Sequence, residues 1–441
     1  MNRQRSNVNY QQTIDQSDRN VPINLRQTGD PGIQLLLSNR VRKSPYWHLS
    51  VEAGCWRATV YNRMYHPRGY VRPEDGGTMV EYRALVNDVT LWNVAVERAI
   101  QVKGPDAEAF CDYVCTRDIT RVEPMHGRYV ILCNQYGGVL NDPVMLRLSD
   151  DEFWFTISDS DLMYWFQGVN VAAGYDVTIR EIDIAPLQIQ GPKSEALMVD
   201  LVGEAIKEVP YYGLMKARIG RADCIISQTG FTGEKGYEVY AYDSTYNAEF
   251  VWNAICDAGE KHNLMVIAPA HHRRIAAGIL SYGQDMDYES NPFQCYLGHM
   301  VPRTKEGDYV GKQVLERTRE LVEAGKPPFK HQLVGLKLGG KPIEDYAPDF
   351  WLVADPEDAD DPIGWITSPW YSPELEVNVA MAYVPVEKAD LGTELLAWIP
   401  EEYQPKPGFP VHAEVVQMPF RPSVHMSSRE RARAEGRDSA F

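Results

Sequence analysis

Two carboxylates and an aromatic ring crowd into the stretch Ile226 to Tyr240, which reads Ile-Ser-Gln-Thr-Gly-Phe-Thr-Gly-Glu-Lys-Gly-Tyr-Glu-Val-Tyr. The carboxylates are Glu234 and Glu238, and the ring is Phe231. A carboxylate accepts two hydrogen bonds side by side, which suits an amino-pyrimidine edge such as that of a pterin, and a flat ring offers it a face. Gly230, Gly233 and Gly236 recur at intervals of three. Glycine permits positive φ and close backbone approach, so a bound ring could lie against this turn. The spacing alone serves an ordinary Gly-rich hairpin equally well.

A second acid stands in Tyr129 to Val144, where Gly137-Gly138 marks a hairpin turn and Asp142 falls on the returning strand. An acid inside an apolar strand is costly unless a ligand or a partner such as arginine satisfies it. Arg274, in Ala268 to Gly278, could hold a carboxylate or form a salt bridge. Trp92, Tyr129 and Tyr282 supply further aromatic faces. Adjacent His271 and His272 point to different faces of a helix and make a weak ligand pair. No metal-ligand spacing, P-loop or Gly-x-Gly-x-x-Gly is present, so no metal is expected.

These residues need elements to position them. The run into Cys224-Ile225-Ile226 and the alternating Tyr237 to Tyr240 read as paired strands. Trp56 to Met64 reads as one strand, and Phe153 to Ile157 as another. Ser158 to Asp161 reads as the cap of a helix starting near Leu162. Ile100 to Ala107 and Leu187 to Leu197 are both an alternating strand closed by Gly-Pro and opening a helix. That is an internal strand-turn-helix repeat, which suggests one α+β region with pseudo-symmetric halves. From about Tyr309, short apolar segments recur between Pro and Gly: Leu333 to Leu338, Gly364 to Thr367, Val379 to Val384, Glu394 to Ile399 and Val411 to Val416. They read as a small all-β domain. The expected divisions are a polar arm over 1–43, an α+β region over 44–308, a β-barrel domain over 309–425 and a charged, disordered tail over 426–441.

The 441 residues suffice for two or three domains, and the 44% hydrophobic and 24% charged composition is that of a soluble globular chain. A net charge of −17 argues against nucleic acid or an anionic membrane as the main partner. No apolar run reaches the roughly 18 residues of a membrane span, and the polar first thirty residues carry no secretory signal. Seven scattered cysteines read as reduced thiols in a cytoplasm, with Cys111 and Cys115 packed on a helix. The oligomeric state is not legible.

The string Thr229 to Glu238 resembles the signature of the glycine cleavage T-protein family, the tetrahydrofolate-dependent aminomethyltransferases. Ser281 to Asp287 and Ile366 to Pro373 are similar to further family strings, and Arg274 matches a family arginine. Val60 to Asn62, Val96 to Asp106, Leu140 to Val144 and Asp161 to Phe166 resemble the dimethylsulfoniopropionate demethylase branch of the same family. Asp142 matches the second acid of the family's acidic pair, and Asn141 replaces the first. The resemblance implies T-protein-like α+β domains followed by a small β-barrel. It further implies tetrahydrofolate as methyl acceptor, Asp142 as the catalytic group, and Tyr129, Phe231, Glu234, Glu238 and Arg274 around the folate. Trp92 and Tyr282 would face a small methylated substrate. The alternatives are an aromatic O-demethylase, a true aminomethyltransferase and a folate-binding regulatory protein without turnover.

Overall fold

Ala99–Lys103 runs through Gly104 and Pro105 into the helix Ala107–Val114, and Ile184–Gln190 runs through Gly191 and Pro192 into the helix Ser194–Val202. The computed structural model, which describes residues 39–347, 350–400 and 408–421, thus contains both copies of the strand-turn-helix unit. Both turn glycines have positive φ, 151° at Gly104 and 125° at Gly191. A β-carbon would lie 2.4 Å from the Asp176 carbonyl oxygen at the first and 2.6 Å from that of Asp88 at the second, so neither turn admits a side chain. The arm expected over 1–43, save its last five residues, and the tail expected over 426–441 lie outside the described residues.

Each unit anchors a sheet. One has five antiparallel strands in the order Thr178–Glu181, Ala99–Lys103, Glu152–Thr156, Val144–Ser149, His126–Tyr129. The other has six, in the order Leu214–Ile219, Ala222–Ser227, Gly236–Tyr242, Ile184–Gln190, Val89–Asn93, Leu264–Val266, and only its last pair is parallel. The helices Ser194–Val202 and Ser244–Gly259 contribute Leu197, Met198, Val251 and Ile255 to a core with Leu187, Ile226 and Val239 of the six-stranded sheet. Phe110, Phe155 and Phe166 meet under the five-stranded sheet, with the buried thiols of Cys111 and Cys115 packed among them. None of the seven cysteines is disulfide-bonded.

Register makes the site. Across the six-stranded sheet Trp92 pairs with Gln188, Gln188 with Glu238 and Glu238 with Ser227, a single cross-strand row. Directly paired residues share a face, so one face of the sheet carries an aromatic, an amide and an acid side by side. Across the other sheet Tyr129, Val144, Thr156 and Ala99 form a comparable row.

The local structure departs from the sequence reading in four places. Trp56 to Met64 is not one strand. Asn62 and Arg63, at φ 50° and 59°, turn the chain between Arg57–Tyr61 and Met64–Gly69. Asparagine tolerates this conformation, and the Asn62 amide donates to the carbonyls of Val96 and Ile157, so tertiary bonds select the turn over β-branched propensity. Asp142 lies not within a strand but in the break between Val139–Asn141 and Val144–Ser149. Asp161 is the N-cap of the helix Leu162–Ala173 but makes no side-chain cap bond, because it pairs with Arg63, while Ser158 and Asp159 bond elsewhere. The helix Lys312–Glu323 and the strand Trp351–Asp355 were not read from the sequence. The helix buries only a narrow stripe, Val314, Leu315 and Thr318, on an otherwise charged sequence, and the strand is only five residues long.

The five expected segments of the carboxy-terminal domain are all strands, and with Trp351–Asp355 they close a six-stranded barrel. The segment expected over Gly364 to Thr367 extends over Asp358–Ser372, with a register shift between Ile366 and Ser368. Val334, Leu336, Val353, Ile366, Ala382 and Leu395 are among its core residues. No helix among the described residues is long and apolar enough to cross a membrane.

Candidate active site

A cavity of about 840 Å³ is bordered by both sheet rows, by the turn after Ser227, by the strand Met64–Gly69 and by residues 277–282. Six of the eight candidate residues line it: Asp142, Tyr129, Trp92, Phe231, Glu238 and Tyr282. Glu234 and Arg274 do not.

Asp142 is buried at the break between its two strands. The Tyr129 hydroxyl donates to Oδ2 at 2.9 Å and the Ser158 hydroxyl to Oδ1 at 2.5 Å. Burial nevertheless dominates and pushes its pKa up to about 6, against the lowering effect of those two bonds. Ser158 is itself held by Asn141, whose side-chain oxygen accepts the Ser158 amide at 3.0 Å and whose Nδ2 donates to the Ser158 carbonyl at 3.0 Å and to Ser160 Oγ at 2.7 Å. Asn141 therefore supports the acid from behind and is not among the lining residues.

Glu238 is buried and accepts three side-chain bonds: from Gln188 Nε2 at 2.6 Å on Oε1, and from the Thr229 and Tyr240 hydroxyls at 2.6 Å and 2.5 Å on Oε2. Because the Gln188 amide is spent on Glu238, its Oε1 faces the other way, buried and without a partner. The row thus holds two acceptors with capacity left, Glu238 Oε1 and the unbonded Gln188 Oε1. Gln188 was missed in the sequence. The available signal was a pair of glutamines, Gln188 and Gln190, two apart in a strand buried along its whole length.

Glu97 was missed as well. Its carboxyl lies on the cavity wall, and its pKa stands well above the carboxylate range because of burial first and then the charges of Glu238 and Asp142. Both effects favour its neutral form. Tyr61, also at the wall, sits close enough to Ser158 and Asp142 for both to act on its hydroxyl.

The glycines of the turn have a different partner from the one expected. Gly233 has positive φ, 67°, and Gly230, Phe231 and Gly233 do border the cavity. A β-carbon at Gly230 or Gly236, however, would meet the Gln190 amide at 2.2 Å and 2.3 Å. Gln190 reaches into the turn, donating to the Thr229 carbonyl and accepting from the Thr232 hydroxyl, so two of the three glycines make room for a protein side chain.

Trp92 is fully buried with its indole N–H on the Thr90 hydroxyl at 2.9 Å, and Tyr282 donates to the Val139 carbonyl at 3.2 Å. Glu234 sits in an ion-pair cluster with Arg273, Arg421 and, through those arginines, Glu374. Arg274 is fully buried, 2.6 Å from Asp285, and also donates to the Ile279 carbonyl and the Ser368 hydroxyl. Asp285 accepts from the hydroxyls of Thr367 and Ser368 in the barrel, so this pair ties residues 271–285 to that domain. Arg117, Arg121 and Arg128, on and near the strand His126–Tyr129, also line the cavity. No group of three acidic, His or Cys residues able to hold a metal occurs among the described residues.

Comparison with known proteins gives a coherent picture. The family model described as the GCVT N-terminal domain matches residues 47–305, and that of the glycine cleavage T-protein C-terminal barrel domain matches residues 331–421. The chain is 31% identical over 370 residues to the dimethylsulfoniopropionate demethylase of Ruegeria pomeroyi, covering 83% of this chain and 96% of that one. It is 30% identical over 345 residues to an aminomethyltransferase of Thermotoga maritima, covering 77% and 88%. The crystal structure of the glycine cleavage system aminomethyltransferase T from Bartonella henselae superposes with a TM-score of 0.74 at 22% identity, over 88% of this chain and all of that one, which establishes a shared fold.

Proposed function

We propose that this chain, which belongs to the glycine cleavage T-protein family of folate-dependent transferases, moves a methyl group from a small methylated donor to tetrahydrofolate. The observation that carries the reading is that Asp142, clamped by Tyr129 and Ser158, shares one cavity with the paired acceptors of Glu238 and Gln188.

The residues fit a reduced folate. The unbonded Gln188 Oε1 and the free lone pair of Glu238 match the donors of an amino-pyrimidine edge, and Phe231 and Tyr129 offer faces beside it. The anionic tail would leave past Arg117, Arg121 and Arg128, which lie at the cavity, whereas the buried Arg274 holds Asp285. Glu234 acts in this proposal through the shape of the turn, fixed by its bonds to Arg273 and Arg421.

When bound, tetrahydrofolate supplies the nitrogen that accepts the one-carbon unit. The chain's own work is then alignment and exclusion of water. Asp142 is placed to orient the reacting centre and to hold, on Oδ1 or Oδ2, the proton released in the transfer, for which a pKa of about 6 is well matched. Trp92 and Tyr282 would pack against the methylated centre of the donor. A sulfonium or quaternary ammonium departs as a neutral group and asks for no acid; an aryl ether would need one, which Glu97 in its neutral form could supply.

The Phe231 to Glu234 string, closer to the aminomethyltransferases, keeps aminomethyl transfer as the second reading. The test is to incubate the protein and tetrahydrofolate with dimethylsulfoniopropionate, vanillate-type methyl ethers and methylated amines, and to follow 5-methyltetrahydrofolate. Transfer from a methylated donor without any carrier protein is expected. Robust aminomethyl transfer dependent on a lipoylated carrier, with every methyl donor inert, would turn the assignment to the second reading.

A further inference from the structure

On the wall of the cavity stands Arg68, whose charge acts at longer range on the carboxylate of Asp159. Its Nη1 lies 3.0 Å from His271 Nε2, and its guanidinium sits 5.6 Å from the centre of the Tyr346 ring. Among the described residues it has no ion-pair partner, whereas Arg57 on the neighbouring strand is matched by Asp345. His271 gives no compensation. Arg68 faces its Nε2 and Arg274 its Nδ1, a neutral imidazole accepts at one of the two, and burial with those positive charges disfavours its protonated form. His66 stands beside Arg68 on the wall, 5% exposed, with Nδ1 buried and unbonded. A half-buried guanidinium among neutral rings is an incomplete anion site.

The route from this corner to the acid is short. The His66 and Tyr61 rings are 5.7 Å apart, the Tyr61 hydroxyl faces Ser158, and Ser158 donates to Asp142. Arg68 and Asp142 thus border one cavity, linked along its wall through His66, Tyr61 and Ser158.

We infer that Arg68, with His66 beside it, receives the carboxylate of the methyl donor, so that the donor is a short-chain acid or zwitterion with its methylated centre turned toward Asp142. The inference rests on reading the cavity as a methyl-transfer site and goes further, by assigning the donor's second charge to a residue. The folate tail has other cations to meet, Arg117, Arg121 and Arg128, which also border the cavity.

The test uses the full chain, Arg68→Met and Arg68→Lys, titrated by calorimetry with 3-(methylthio)propionate, with trimethylsulfonium and with tetrahydrofolate. The first probe has the carboxylate and no transferable onium methyl; the second has the cation and no carboxylate. Arg68→Met should weaken the thioether acid about 30-fold or more, the scale of one charge-assisted contact, and leave the other two within about twofold. Arg68→Lys should keep the fold and recover part of the loss. Unchanged binding of the acid to Arg68→Met, equal losses of all three ligands, or no binding of the acid to the parent protein would overturn the inference. Methyl transfer is read separately. Turnover of a donor with the same KM in Arg68→Met defeats the Arg68 assignment alone, and acid binding through Arg68 without transfer from any donor defeats the methyl-transfer reading alone.

Discussion

The Tyr129 hydroxyl donates to Asp142 Oδ2 at 2.9 Å, and this bond ties the end of the strand His126–Tyr129 to the break between Val139–Asn141 and Val144–Ser149. A tyrosine and an acid thirteen residues apart become one unit. Ser158, from a different part of the chain, completes it at 2.5 Å.

Replacing Asp142 with Asn should leave the fold and folate binding in place and remove most turnover. The carboxamide keeps the shape, accepts from one of the two hydroxyls and can donate its Nδ2 to the oxygen of the other, so circular dichroism and folate affinity should match the parent. If the variant unfolds instead, Asp142 serves the structure and not the reaction.

The pH dependence follows from the raised pKa of Asp142, about 6. With the carboxylate as the working form, kcat/KM should rise through a limb near that value and flatten above it. Stability moves the other way. A carboxyl whose folded pKa lies above its unfolded value, near ~4, binds its proton more tightly when folded, so its contribution grows as pH falls through about 6 and levels off near ~4. Asp142→Asn should flatten both trends. A limb that persists unchanged in that variant belongs to another group.

Glu238→Gln should weaken tetrahydrofolate by ~1 to 3 kcal/mol, since it removes one charged acceptor and forces the Gln188 amide to find a new partner. Calorimetry would show it as a rise in Kd. An unchanged Kd means that the pterin binds elsewhere.

Arg274→Ala should destabilise the protein by ~3 to 5 kcal/mol, because it strands a fully buried Asp285 between two domains. Thermal melts should register this, and the folate Kd of the folded protein should stay within about twofold. A selective loss of folate affinity at unchanged stability would instead return Arg274 to the ligand.

Gly230→Ala should cost ~1 to 3 kcal/mol, since its β-carbon would fall 2.2 Å from the Gln190 amide. Gln190→Ala in the same chain should relieve the clash. Denaturant midpoints of the two single variants and the double give the coupling, and simple additivity would show that the glycine is not there for Gln190.

Local pattern determined much of this protein. The Gly-Pro turns after Lys103 and Gln190 specify the repeated strand-turn-helix unit because a positive φ followed by a ring-fixed φ leaves few alternatives. Alternation in Tyr237 to Tyr240 and turn punctuation between the barrel segments marked the strands. The family strings around Glu238 and Asp142 pointed to the cavity. What tertiary structure decided was which residues meet there. Gln188 stands next to Glu238 only because two strands fifty residues apart pair in one register. Glu97 and Arg68 acquire their meaning from groups that are distant in sequence, Glu238 and Asp142 for the first and His271 for the second. Glu234 and Arg274 carry the residue types of ligand-binding groups, yet lie in ion pairs away from the cavity, because a charge is drawn to whatever opposite charge the fold brings within reach. Residue type and spacing report what a side chain can do; the long-range pairing of strands settles what it faces.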